Sequence, residues 1–195
     1  MGLGDAHAAG ATPLDPNEVD GLLPSHLRTQ QELNEWEQAN IGRALSWLAS
    51  ARRRDVLSDS FVRELHRRMF DQTWRWAGSF RKSERNIGVA PEQIAPKLHD
   101  LLGDARFWRE HRTYAIDEAA ARFHHRLVAI HCFANGNGRH ARLLTDLLLQ
   151  SEGAVPFSWG RGDLVHAGEA RDRYLTALRA ADAGNLSALL QFVRS

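Results

Sequence analysis

A single cysteine, Cys132, in 195 residues leaves no internal disulfide possible, which fits a chain that folds in a reducing cytoplasm. The N-terminus lacks a basic-then-apolar leader, and no apolar run is long enough to span a bilayer. The expectation is a soluble, cytoplasmic protein with no membrane contact. Charge of one sign is also missing: 25 basic against 24 acidic residues leave +1, too little to draw the chain toward nucleic acid. Lysine is scarce, so arginine carries most of the positive charge, and its planar fork suits phosphate. No internal repeat or low-complexity segment appears. The length fits one domain with a sizeable core, and the apolar and charged fractions are ordinary.

Helical periodicity accounts for most of the chain. Residues 1–28, rich in Gly, Ala, Pro and Asp, read as an extended arm packed through Leu22 and Leu23. Thr29 with Glu32 makes a capping box that opens a helix to about Ala51, with Leu33, Trp36, Glu37, Asn40, Ile41, Ala44, Trp47 and Leu48 at helical spacing. The Arg52-Arg53-Arg54 run reads as a solvated connection. Ser58 caps a second helix with Phe61, Leu65, Met69 and Phe70 inward. From Trp74 to Gly88 the period is lost, and Phe80, Ile87 and Val89 suggest a short hairpin. Pro96 belongs to the first turn of a third helix with Leu98, Leu101, Leu102 and Phe107 on its inner face. Asp117 is the expected cap of a fourth, with Ala120, Phe123, Leu127 and Ile130 inside. A central helix follows, carrying Leu143, Leu144, Leu147 and Leu148. Another, from Glu169 to Ala183, buries Tyr174, Leu175 and Leu178, and a short one ends near Val193. The expected class is all-α, with residues 29–195 as one domain.

The stretch His131-Cys132-Phe133-Ala134-Asn135-Gly136-Asn137-Gly138-Arg139-His140-Ala141-Arg142 interrupts two of these helices. Asn-Gly-Asn-Gly favours left-handed backbone, so the chain turns sharply and re-enters a helix near Gly138. The first turn of that helix then has unpaired N–H groups suited to an anion. Arg139 and Arg142, three apart, share a face near this end, where the helix dipole disfavours cations unless an anion binds. His131 at the cradle's edge is a candidate base, with an ordinary pKa close to neutrality. A histidine at a helix C-terminus more often caps carbonyls; the adjoining cradle turns the reading toward chemistry.

The same residues resemble the signature of Fic-domain proteins, His-x-Phe-x-(Asp/Glu)-Gly-Asn-Gly-Arg-x-x-Arg, at every fixed position except Asn135. Thr12-Pro13-Leu14-Asp15 and Glu32-Leu33-Asn34-Glu35-Trp36-Glu37 resemble a bacterial subgroup labelled "mobile mystery protein B". The resemblance implies a helical bundle with a small β-hairpin flap at about residues 79–90, after Trp76-Ala77-Gly78-Ser79-Phe80-Arg81. In that family the flap clamps a target peptide by strand addition, here through Ile87 and Val89. The implied activity is transfer of AMP from ATP to a Ser, Thr or Tyr hydroxyl of a target protein. His131 would be the base, Asn137 with the Gly136 and Gly138 amides the anion hole, and Arg139 and Arg142 the β- and γ-phosphate clamps. Phe133 would anchor the loop.

Asn135 stands where the family has an acid that holds Mg²⁺, and an amide oxygen lacks the charge the cation favours. Mg²⁺, or Mn²⁺, would be held weakly, or another acid would substitute, or transfer would be weak or altered. UMP, phosphocholine or phosphate transfer stays open, though Gly138 stands where the phosphate-transferring branch has lysine. So does a nucleotide-binding or protein-interaction module without turnover. Ser60-Phe61-Val62-Arg63-Glu64-Leu65 fails as the family's inhibitory motif, so inhibition would be absent, unrecognisable or supplied by an antitoxin-like partner. Cys132 reads as an inert buried thiol. His124, His125, His131 and His140 lack the accompanying ligands of a transition-metal site.

Overall fold

The computed structural model describes residues 19–50, 55–165 and 168–195. Most of the expected arm, including Thr12 to Asp15, and the Arg52–Arg54 connection lie outside them. Seven α-helices occupy the described residues: α1 Gln30–Ala49, α2 Asp59–Phe70, α3 Ile94–His111, α4 Ile116–Ile130, α5 Asn137–Ser151, α6 Glu169–Asp182 and α7 Ser187–Arg194. None is long and apolar enough to cross a membrane.

The caps follow local chemistry. Thr29 accepts from Glu32 N while the Glu32 carboxylate reaches back to Thr29 N, a complete capping box for α1. Ser58 accepts from Phe61 N and opens α2. Asp117 does not cap α4; the cap position is Ala115, and Asp117 sits in the first turn, where it pairs with Arg194 of α7. Its carboxylate still meets the positive end of the helix from inside that turn. Phe107 is not part of the α3 core either: it is 53% exposed and stacks on His111, while Leu98, Leu101, Leu102 and Ala105 face in. Leu22 packs against the larger core as expected, Leu23 is exposed, and Leu27 is buried in that core as well.

Two apolar clusters meet along the α4–α5 pair. Leu127, Ile130, Leu144 and Leu148 join α1, α2 and α3 in the larger cluster. Ala120, Ala121 and Leu149 join α6, α7 and Phe157 in the smaller one. The α4–α5 connection therefore has its backbone fixed by helices gripped on both sides.

The expected β-hairpin at 79–90 is absent: no strand forms among these residues. Its would-be ladder groups bond elsewhere. Arg81 N donates to Cys132 O and Val89 N donates to Ile130 O. Both ends of the flap thus pair with one segment, 130–132, instead of with each other. Gly88, at φ +98°, bends the chain between them.

Candidate active site

The loop joining α4 to α5 is built from residues that tolerate unusual backbone. His131 closes α4 with φ 55° and ψ 61°, a left-handed geometry uncommon for a side chain of its size. Gly136, at φ +76°, starts α5, and a Cβ there would lie 2.5 Å from the Phe70 ring. Only glycine fits.

Polar side chains then lock the loop from within. Asn137 Oδ1 accepts from Phe133 N at 2.9 Å and its Nδ2 donates to Phe133 O at 2.7 Å, spanning the turn. Asn135 Oδ1 accepts from Gly136 N. Both amide side chains, and the Gly136 N–H expected in the anion hole, are thereby engaged inside the loop. Phe133 is fully buried, stacked on His66 at 3.7 Å and edge-on to His140 at 5.1 Å. Gly78 N donates to His66 Nδ1, so Nε2 carries the proton and donates to Asn135 O at 3.0 Å. His140 Nε2 likewise donates to Val62 O. Burial pushes His140 down to about 4 and His66 well below its ordinary value, so both are neutral.

What the loop leaves open is the start of α5. No side chain caps it, and the first N–H to find a helical carbonyl is that of His140, on Gly136 O. The amides of Gly138 and Arg139 belong to the turn whose donors an anion satisfies. The two arginines beside it differ. Arg139 forms a 2.7 Å ion pair with Glu37 of α1, and its guanidinium lies 5.0 Å from the Phe70 ring centroid. The Glu37 carboxylate is itself buried and accepts from Trp74 Nε1. Arg142 forms no ion pair among the described residues; it lies 5.8 Å from the Tyr174 ring centroid. The Tyr174 hydroxyl in turn meets His124 Nε2 at 2.9 Å. Burial lowers the Arg142 pKa, and the Arg139 and Arg171 charges add to that. The Tyr174 hydroxyl opposes that lowering, and no carboxylate among the described residues neutralises the guanidinium.

His131 is only 6% exposed. Desolvation, then the Arg81 and Arg85 charges, hold its pKa at about 4, so the imidazole is neutral at pH 7. Gly88 of the flap lies against its Cβ: a Cβ on Gly88 would come within 2.7 Å of His131 Cβ. Of the two flap residues singled out, Ile87 is 43% exposed and Val89 packs against the larger core. Cys132 is buried and its thiol pushed up to about 12, so it stays protonated. Glu64, from the rejected inhibitory match, is spent on Arg67 and Arg68.

A match to the Fic/DOC family covers residues 56–149, from just before α2 through the loop and most of α5. The chain carries a Fic/DOC-family domain. Protein adenylyltransferase fic-1 of Caenorhabditis elegans is 31% identical over 146 residues, which are 71% of this chain and 27% of that protein. The chain thus spans about a quarter of the curated relatives' length. The solved structure of C. elegans Fic-1, residues 134–508, is 27% identical and matches with a TM-score of 0.63 over 90% of this chain and 50% of that one. The BepC protein of Bartonella tribocorum, solved with bound AMPPNP, matches with a TM-score of 0.70 over 92% of this chain and 97% of that one; at 17% identity the likeness is one of fold.

Three residues that shape the site carry no chemistry in the sequence reading. His66 falls at helical spacing with Val62 and Phe70, and a histidine on an apolar face was the available signal. Glu37 stood on the inner face of α1 as a charge in an apolar stripe, a position that calls for a buried cation. Tyr174 read simply as core.

Proposed function

We propose that the chain is a protein adenylyltransferase that moves AMP from ATP to a Ser, Thr or Tyr hydroxyl of another protein. The observation that carries the proposal is the uncapped α5 N-terminus with Arg142 beside it, one turn from a neutral imidazole. The α-phosphate would sit on the Gly138 and Arg139 amides, and Arg142 would take the terminal phosphates. Arg139 would share its fork with Glu37. Asn137 would act through the backbone, holding the loop open by its grip on Phe133. Preorganised donors aimed at a phosphoryl group are worth roughly 3–4 kcal/mol each, by analogy with oxyanion holes.

The target hydroxyl oxygen would bond to the α-phosphorus as the bond to the bridging oxygen breaks and pyrophosphate leaves. His131 would take the hydroxyl proton. A base held at about 4 by burial and by the Arg81 and Arg85 charges accepts protons reluctantly, so the step gains if the incoming target peptide shifts the flap that carries both arginines. The C. elegans relative is named a protein adenylyltransferase, and the BepC structure holds AMPPNP, which supports ATP as donor.

The residues fit a metal poorly. Among the described residues no three acids, histidines or cysteines gather, and the Asn135 oxygen is already bonded to Gly136 N. A Mg²⁺ or Mn²⁺ ion would rest mainly on phosphate oxygens and water, shielding their charge. Asn135→Asp places a charge at that point, and we expect Mg²⁺-dependent transfer to rise several-fold at limiting Mg²⁺; an unchanged Mg²⁺ titration refutes this.

Incubation with ATP and a cell lysate, followed by mass spectrometry of the purified protein and the lysate proteins, tests the function. An added AMP is expected. ATP binding without any added nucleotide would favour the non-catalytic module, to which the depth of His131 and the amide at position 135 also point. An added phosphate would keep the site and change the transferred group, and an added UMP would change the donor to one present in the lysate.

A further inference from the structure

We infer that Arg81 is a positioning residue that couples the flap to His131, so that the flap cannot move without releasing the base. The inference rests on the adenylyl-transfer reading only in calling His131 a base; the mechanical link stands on hydrogen bonds alone.

Arg81 is 4% exposed and its guanidinium donates to backbone carbonyls. On one side Nε reaches His131 O at 2.7 Å, and one terminal nitrogen reaches Ile130 O at 3.5 Å. On the other side the two terminal nitrogens bond Ser83 O, at 2.9 Å, and Val89 O. The first pair belongs to the end of α4, the second to the two ends of the flap. Its backbone N–H adds a fifth bond, to Cys132 O at 3.0 Å. Burial lowers its pKa, with the Glu84 charge opposing.

An arginine is needed here for its shape. Four acceptors diverge around one plane, which a fork of five N–H donors can reach and a lysine ammonium cannot. Its anchor on His131 O falls on the very residue whose left-handed backbone is disfavoured without glycine. Gly88 presses on both partners: a Cβ there would lie 2.7 Å from the Arg81 guanidinium and 2.7 Å from His131 Cβ. A peptide that displaces residues 83–89 must therefore break the bonds to Ser83 O and Val89 O made by the same guanidinium whose Nε holds the carbonyl of His131.

Arg81 also faces the imidazole as a charge. The charged groups acting on His131 are Arg81 and Arg85 of the flap, while the Val128 carbonyl of α4 pulls the other way.

The test compares wild type, Arg81→Lys and Arg81→Met. Lysine keeps the charge and loses the fork; methionine keeps the apolar stem and loses both. Amide hydrogen exchange should rise together at Val89 and at His131–Cys132 in both variants, with α5 amides unchanged. By NMR the His131 imidazole should begin to titrate at higher pH in Arg81→Met than in wild type, and Arg81→Lys should stay near wild type. Where wild type transfers label, both variants should lose about 10²-fold in rate, the scale expected of a misplaced base, with ATP affinity within about two-fold of wild type.

Exchange that rises at only one of the two segments overturns the coupling, as does a variant that labels at the wild-type rate. Loss of ATP binding in step with transfer also overturns it, since Arg81 would then hold the fold as a whole. If wild type transfers nothing, the adenylyl-transfer reading fails, while exchange and titration still decide the link.

Discussion

His131→Asn is expected to lower label transfer by about 10²- to 10⁴-fold and to leave ATP affinity within about two-fold, measured by initial rates and by equilibrium binding. The choice of asparagine matters. His131 closes α4 in left-handed backbone, which asparagine adopts more readily than alanine does. Its carbonyl, the acceptor for Arg81 Nε, is retained in any variant. His131→Ala removes the base and also penalises the turn. Similar losses in both variants would therefore assign the effect to the imidazole. A loss in His131→Ala alone would assign it to the backbone, and the proposed base would have to be abandoned. Nucleotide affinity is the control because its proposed contacts, the Gly138 and Arg139 amides and Arg142, do not include the His131 side chain.

Local chemistry made much of this legible in the chain itself. The capping box at Thr29 and the cap at Ser58 each came from a short motif whose partners lie within three residues. The sharp turn into α5 was legible because Asn-Gly-Asn-Gly leaves so few backbone options. What could not be read needed partners far apart in sequence. The Glu37–Arg139 pair joins residues of α1 and α5, and nothing in either segment says which buried cation the Glu37 stripe position is for. The flap failed for a related reason. Its alternation permitted a hairpin, but Arg81 and Val89 found better partners in residues 130–132, which a periodicity argument confined to residues 79–90 does not include. The phosphate role given to both arginines also needs this distinction: by position Arg139 and Arg142 are equivalent, and only the fold shows one already neutralised.

Four buried histidines make stability depend on pH. His131 and His140 sit at about 4, His124 at about 3 and His66 well below its ordinary value, in each case chiefly through burial. Above pH 6.5 all four are neutral both folded and unfolded, so they contribute no pH dependence. As pH falls below 6.5 the unfolded chain takes up protons that the folded chain refuses, and stability drops by about 1.4 kcal/mol per pH unit for each histidine. At pH 5 the loss is roughly 2 kcal/mol for each of His131, His140 and His124, and His66 adds a loss in the same direction. The paired carboxylates of Glu64 and Asp117, held below their usual range by Arg67 and Arg194, lose their contribution only at still lower pH. Chemical denaturation at constant ionic strength should therefore give a stability that is flat from pH 8 to 7 and falls steeply toward pH 5. His140→Gln, which can still donate to Val62 O, should flatten the slope by about one proton. A stability unchanged between pH 7 and pH 5 would mean these rings already reach water, and the neutral, inward-bonded His66 and His140 that hold Phe133 would have to be given up.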